Sequence, residues 1–328
     1  MITDGHGRTI NYLRLAVTDR CNLRCTYCMP ESGLDWTPRS ELITTPEMLR
    51  ICTLLIKMGI DKIRITGGEP FVRKDLLPFL HALSVISGLQ ELTITTNGLL
   101  TAPFIPELKK MGIRSVNLSL DSLDQDRFIA ITRRDGLAQV LGTLDALLAN
   151  GIAVKINAVV MEERNIEDII PLAELTQSLP VSVRFIEEMP FNGTMQNVSL
   201  AWNSQRILSH LKERFPTLKK AVDESHATAL NYDIPGHKGR VGLIPAYTRS
   251  FCGSCNRLRI TPTGTLRTCL YEAGQLNLKD RIREGYTDEM LARLVRNAVM
   301  KKPLDGWAAE RGLIANNLAH QSMATIGG

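Results

Sequence analysis

Six of the seven cysteines stand in two tight groups, Cys21/Cys25/Cys28 and Cys252/Cys255/Cys269. The first has Cys-x3-Cys-x2-Cys spacing. Three thiolates this close hold three corners of a [4Fe–4S] cube, which ordinarily takes four cysteines. No fourth cysteine lies nearby in sequence, so one iron would keep an open position, a place for chemistry rather than scaffolding. The alternative is a Cys3His zinc site completed by a distant histidine such as His6. In the second group, Cys252-Gly253-Ser254-Cys255 is followed after 13 residues by Cys269. Again a fourth ligand is missing, whereas a zinc ribbon wants two CxxC pairs. Arg257 and Arg259 follow directly. On an extended segment they share a face and offer forked donors to an anion. The alternative is a structural iron–sulfur or zinc site with surface arginines. Cys52 stands alone among apolar residues at helical spacing and reads as a core thiol.

The elements that must position these groups alternate in type. Strands are expected at Tyr12–Thr18, Lys62–Thr66, Glu91–Thr95, Arg114–Leu120, Ile152–Val159 and Val181–Ile186. Helical patterns lie between them, at 46–58, 75–86, 103–111, 124–149 in two pieces, and 165–178. Such alternation means a parallel sheet with right-handed crossovers. Along each strand one face is apolar and the other polar: Ile63 and Ile65 oppose Lys62, Arg64 and Thr66, and Val154 and Ile156 oppose Lys155 and Asn157. A doubly wound sheet needs both faces apolar. A polar inner face instead implies a hollow, ligand-filled barrel. The fold expected is therefore an α/β incomplete (β/α)6 TIM-type barrel over 5–220, with a C-terminal domain over 221–328 that carries the second cluster. Helices are expected near 203–214 and 287–300.

Composition narrows the class. With 328 residues, 44% hydrophobic and 22% charged, the chain is an ordinary globular protein rather than a disordered or collagenous one. The net charge of +5 does not demand nucleic acid, and the cations are scattered one or two per strand rather than gathered in a stripe. No run of about 18 apolar residues appears, so no membrane span is expected. Residues 1–8 have no apolar signal region, so a reducing, cytoplasmic setting is expected. Seven cations nevertheless converge in this reading: Arg14, Lys62, Arg64, Lys155 and Arg184 from inner strand faces, with Arg257 and Arg259. Buried like charges are costly without a polyanion to neutralise them.

The Cys21–Cys28 segment, with the aromatic Tyr27 before its third cysteine, resembles the signature of radical S-adenosylmethionine enzymes. Thr66-Gly67-Gly68-Glu69-Pro70, after the second strand, matches the GGEP motif of that superfamily. There the open iron is chelated by S-adenosylmethionine, which is cleaved reductively to a 5′-deoxyadenosyl radical. The resemblance places Tyr27, Gly68, Ser119 (ribose) and Met189 (adenine) at the cofactor. Two incomplete clusters flanking a six-unit β/α chain resemble the GTP 3′,8-cyclase family, which acts first in molybdenum cofactor biosynthesis. That likeness covers essentially the whole chain, including Thr95-Thr96-Asn97-Gly98, Asn117–Asp121, Phe251–Arg259 and Gly327-Gly328. It implies GTP as substrate, two [4Fe–4S] clusters, and substrate contacts at Arg14, Lys62, Arg64, Thr95, Lys155, Arg257 and Arg259. The second open iron would meet the guanine edge. In the family reaction the ribose 3′ hydrogen is abstracted and the carbon radical attacks C8 of guanine. The resemblance also implies that Gly327 and Gly328 reach toward the active site, and it implies a homodimer and a reduced flavodoxin- or ferredoxin-like electron donor. Arg184 is a candidate for a catalytic role on its inward position alone. The rivals are a peptide-modifying radical enzyme, which typically carries more C-terminal cysteines; a ferredoxin-like carrier, whose clusters are fully cysteine-ligated; and a zinc-dependent nucleic-acid-binding module.

Overall fold

A computed structural model describes residues 1–191, 201–274, 276–315 and 321–327. The six expected strands form as β1 (Tyr12–Ala16), β2 (Lys62–Thr66), β3 (Glu91–Thr96), β4 (Ser115–Ser119), β5 (Ala153–Val160) and β6 (Ser182–Glu187). Each pairs in parallel with the next. Helices lie between them, among them α1 (Thr45–Lys57), α2 (Leu76–Ser84), α3 (Ile105–Lys110), α4 (Gln125–Thr132), α5 (Leu137–Ala149) and α6 (Ile169–Ser178). The helix start read at Pro46 is a full capping box. The Thr44 hydroxyl accepts from the Glu47 amide, and Glu47 accepts from the Thr44 amide at 2.8 Å. Cys52 is wholly buried on this helix.

The C-terminal part adds strands that the sequence reading did not place: β7 (Arg240–Ile244) in parallel beside β6, and β8 (Arg257–Ile260) in parallel beside β1. Eight parallel strands thus run β8-β1-β2-β3-β4-β5-β6-β7. Short antiparallel strands extend both edges: Thr265–Arg267 and Leu276–Asn277 beyond β8, Leu230–Asp233 and Lys219–Lys220 beyond β7. Among the described residues β7 and β8 do not pair, so the barrel stays incomplete. The reason β8 joins lies in its four residues. Leu258 and Ile260 are fully buried on the outer, helix-covered side, and Arg257 and Arg259 take the inner side.

Register stacks the inner residues in rows. Arg257, Tyr12, Lys62 and Glu91 are level, and above them Arg259, Arg14, Arg64 and Thr93. Next come Thr95, Asn117, Lys155 and Ser182, then Ser119, Asn157 and Arg184. The opposite faces, including Leu13, Ile65, Ile94, Leu118, Ile156 and Phe185, form the core under the helices. Among the described residues no helix is long and apolar enough to cross a membrane.

Candidate functional site

The first cysteine loop leaves β1 and is pinned by the loop after β2. The Gly68 amide donates to the Thr18 carbonyl and the Glu69 amide to the Arg20 carbonyl, both at 2.8 Å. A side chain at Gly68 would lie 2.3 Å from the Arg20 oxygen, and one at Gly67, where φ is +147°, 2.4 Å from the Thr18 oxygen. The paired glycines therefore let two backbones touch, beside the space a ligand would use. Glu69, overlooked in the sequence, fastens this junction. It is buried and accepts from the Thr96 hydroxyl at 2.8 Å, the Asn97 amide at 2.7 Å and the Phe71 amide at 3.2 Å. Burial pushes its carboxyl up to about 7 despite these donors.

On the far side, Arg24 and Thr26 amides bond to carbonyls at the end of α4. The Tyr27 hydroxyl donates to Asp121 at 2.9 Å, and Asp121 also accepts from the Val159 amide. Burial raises all three thiols, Cys21 to about 11, Cys28 to about 12 and Cys25 strongly; Glu69 and Asp121 add to it. Left alone these thiols stay protonated, whereas coordinating iron deprotonates them. The Leu23 amide at 3.4 Å and the Asn97 side-chain amide at 3.7 Å point at the Cys21 sulfur as donors to a thiolate. The residues therefore fit an iron–sulfur cluster. Among the described residues no three Cys, His, Asp or Glu side chains gather as a single metal ion needs; a cube, with ligands on separate corners, spreads them wider.

The second trio is built from two stretches, the turn before β8 and the end of strand Thr265–Arg267. Its electrostatics differ at one position, Cys255. Burial raises Cys269 to about 11 and also raises Cys252. Burial would raise Cys255 too, but Lys302, Arg257 and Arg259 bring it down to about 7.

Both trios border one cavity of about 270 Å³. Cys28, Cys252, Cys255 and Cys269 line it, with Arg14, Arg64, Arg184, Arg257 and Arg259; Tyr27, Gly68, Thr95, Ser119 and Met189 complete the expected set. Cys21 and Cys25 line an adjoining recess together with Tyr27, Cys28 and Gly68. Lys62 and Lys155 do not line the cavity. Lys62 opens β2 in the lowest row and pairs with Glu91 at 2.5 Å. Lys155 sits below Asn157, where burial, with Arg184, Arg64 and Lys62, lowers it to about 8. Burial likewise lowers Arg64, to about 10, and Arg259, and in both the neighbouring arginines add to it. Buried atoms left without partners concentrate here: Arg14 Nε, Arg257 Nε, Thr66 Oγ1, Asn117 Oδ1 and Asn157 Oδ1. Unpaired buried groups cost stability, so the cavity is built for a polar, anionic occupant. Tyr12, not singled out in the sequence although it alternates with Arg14, belongs to the same field. Burial opposes its ionisation, but Arg64, Arg14, Arg257 and Lys62 lower the phenol to about 8.

The tail enters this space. The Met323 amide donates to the Phe191 carbonyl at 2.8 Å, and Met323 lines the cavity. The Gly327 carbonyl accepts from Arg259 at 2.6 Å. Gly327 has φ +78°, and a side chain there would meet Ala16 at 2.7 Å and Thr66 at 2.8 Å. Gly328 lies outside the described residues.

Comparison with known proteins matches residues 15–176 to the Radical SAM superfamily and 181–306 to Molybdenum Cofactor Synthesis C. A GTP 3′,8-cyclase of Clostridium perfringens is 38% identical over 305 residues, 92% of this chain and 93% of that protein. The chain belongs to the GTP 3′,8-cyclase family. A mitochondrial GTP 3′,8-cyclase of Arabidopsis thaliana is 40% identical over the whole of this chain and 84% of its own length. Molybdenum cofactor biosynthesis protein 1 of Dictyostelium discoideum is 42% identical over 92% of this chain and 49% of its length. The chain thus spans about half of that longer relative. In fold it is similar to Streptococcus suis SuiB bound to S-adenosylmethionine, with TM-score 0.61 and 16% identity over 88% of this chain and 68% of that one. The radical S-adenosylmethionine superfamily carries a [4Fe–4S] cluster and binds S-adenosylmethionine, in keeping with the first trio.

Proposed function

We propose that this chain converts GTP to (8S)-3′,8-cyclo-7,8-dihydroguanosine 5′-triphosphate, consuming S-adenosylmethionine, as the first step of molybdenum cofactor biosynthesis. The observation that carries the reading is the single cavity bordered by two three-cysteine sets and walled by Arg14, Arg64, Arg184, Arg257 and Arg259. Cys21, Cys25 and Cys28 would hold one [4Fe–4S] cluster, and Cys252, Cys255 and Cys269 a second. The first cluster with S-adenosylmethionine supplies one-electron reduction and hydrogen-atom abstraction.

The chain's own residues bind, orient and exclude water. Arg14, Arg64, Arg257 and Arg259 neutralise the triphosphate with forked donors. Lys155, and Lys62 from the row beneath, contribute longer-range charge. Thr95 adds a hydroxyl contact. Tyr27, Gly68, Ser119 and Met189 line the cofactor side. Arg184 lines the cavity and is assigned a catalytic role in orienting the ribose, a reading that rests on its inward position. Gly327 closes the space beside Ala16 and Thr66 and steadies Arg259, and the family likeness extends the tail's role to Gly328. Holding the two reactants in one water-poor cavity is the main contribution expected of the protein. Residues 5–220 would form the radical S-adenosylmethionine partial barrel, which also supplies substrate contacts, and 221–328 the part that carries the second cluster with Arg257 and Arg259. A reduced flavodoxin- or ferredoxin-like protein as electron donor, a homodimer and a cytoplasmic setting complete the proposal.

Anaerobic incubation with GTP, S-adenosylmethionine and a reductant, followed by mass analysis, tests it. The expected result is 5′-deoxyadenosine and a cyclised nucleotide, both dependent on GTP. Cofactor cleavage indifferent to GTP would refute the assigned substrate.

A further inference from the structure

The second trio comes from two separate stretches of chain, and one side chain ties them together. Lys302 is 3% exposed. Its ammonium donates to the Arg257 carbonyl at 3.1 Å and to the Thr268 carbonyl. Arg257 lies two residues after Cys255, and Thr268 directly precedes Cys269.

The lysine is fixed from behind by the N-terminal hairpin. Its own carbonyl meets His6 Nε2 at 3.1 Å. Arg8, paired with buried Asp4 at 2.6 Å, donates to the Pro303 carbonyl at 2.7 Å and the Leu304 carbonyl at 2.6 Å. The same guanidinium reaches the Cys252 carbonyl at 3.1 Å. Both cysteine stretches therefore meet one clamp.

The ammonium's partners are neutral carbonyls, and among the described residues Lys302 forms no ion pair with a carboxylate. An uncompensated charge buried this deeply is costly. Its field reaches the Cys255 and Cys269 sulfurs, and an iron–sulfur cube held by three thiolates is a net anion. The missing counter-charge is then the cluster itself. Groups behind the ligands that fix their orientation and charge tune a metal site, and local charge and hydrogen bonds set cluster potentials.

We propose that Lys302 is a positioning residue of the second cysteine trio: it holds the Cys255 and Cys269 segments in ligand geometry, and its charge raises the reduction potential of the cluster they carry. This rests on the second trio being a cluster site, as argued above. The sign follows from charge, because reduction adds an electron to an already anionic group and a nearby cation favours that state.

The test is a potentiometric titration followed by electron paramagnetic resonance, on the full chain with Cys21, Cys25 and Cys28 changed to alanine so that one cluster remains. Lys302→Met and Lys302→Arg are compared with this parent. The expected result is a midpoint shifted to more negative potential in Lys302→Met, with Lys302→Arg close to the parent. Loss of iron in Lys302→Met with retention in Lys302→Arg also supports the proposal. An unchanged midpoint in an iron-replete Lys302→Met chain overturns it, as does equal iron loss in both variants. A parent chain without iron removes the cluster reading itself, and the inference with it.

Discussion

The two cysteine trios have the same number of ligands and different surroundings. Cys21, Cys25 and Cys28 come from one short loop, where the carboxyls of Glu69 and Asp121 bear on the thiols and Arg24 opposes them at Cys21. Cys252, Cys255 and Cys269 come from two segments, with Lys302, Arg257 and Arg259 bearing on Cys255. The ligands assigned to each match that contrast. Under the proposed function, S-adenosylmethionine would bring a cationic sulfonium to the side of Glu69 and Asp121, and GTP a polyanion to the side of Lys302, Arg257 and Arg259. Electrostatic sorting of this kind assigns each ligand to its own end of one cavity without a wall between them.

The contrast breaks most directly by removing either trio. Changing Cys21, Cys25 and Cys28 to alanine should abolish 5′-deoxyadenosine formation. The corresponding change at Cys252, Cys255 and Cys269 should abolish the cyclised product while S-adenosylmethionine binding and the first trio's iron remain; calorimetry and iron analysis read the difference. Next, deleting Gly327 and Gly328 should eliminate cyclisation with iron content unchanged, and retained cyclase activity would sink the tail's assigned role. Truncating a cavity arginine should act mainly on the nucleotide. Arg64→Met or Arg14→Met should weaken GTP binding roughly 10- to 150-fold, the size expected for losing one charge-assisted hydrogen bond, with S-adenosylmethionine affinity little changed in calorimetry.

The pH dependence sharpens the basic side. Tyr12 and Lys155 both titrate near about 8. As pH rises through that value the phenol gains a negative charge and the ammonium loses its positive one. Both changes reduce attraction for a triphosphate, so KM for GTP should climb between pH 7 and pH 9. Tyr12→Phe should flatten part of that rise, and an unaltered slope counts against Tyr12 as part of the field. The smallest effect is expected at Lys62. It is half-exposed and paired with Glu91, so Lys62→Met should cost about 0.2–1 kcal/mol, under about 5-fold in GTP affinity.

Much of this arrangement was legible in the sequence because its signals are local. Cysteine spacing marked both trios, and period-two alternation put Arg14, Arg64, Asn117, Asn157 and Arg184 on the inner face before any pairing was known. What stayed hidden depends on partners distant in sequence. Nothing in Arg257–Ile260 says that it pairs with Tyr12–Leu15, so its place in the sheet beside β1 was not readable. Lys62 looked like the other inward cations because Glu91, its partner, lies on the next strand. Lys302 sits in an unremarkable Lys301-Lys302-Pro303 run, and only folding brings it to the carbonyls beside Cys255 and Cys269. Glu69 was read through its glycine neighbours, and its three donors became visible only once β3 lay beside β2.

Cofactor and nucleotide are proposed to meet directly in the cavity between the trios. Turnover with GTP deuterated at the ribose 3′ position, under anaerobic reducing conditions, is the decisive measurement. The deuterium is expected to be recovered in 5′-deoxyadenosine. Unlabelled 5′-deoxyadenosine formed alongside cyclised product would contradict it.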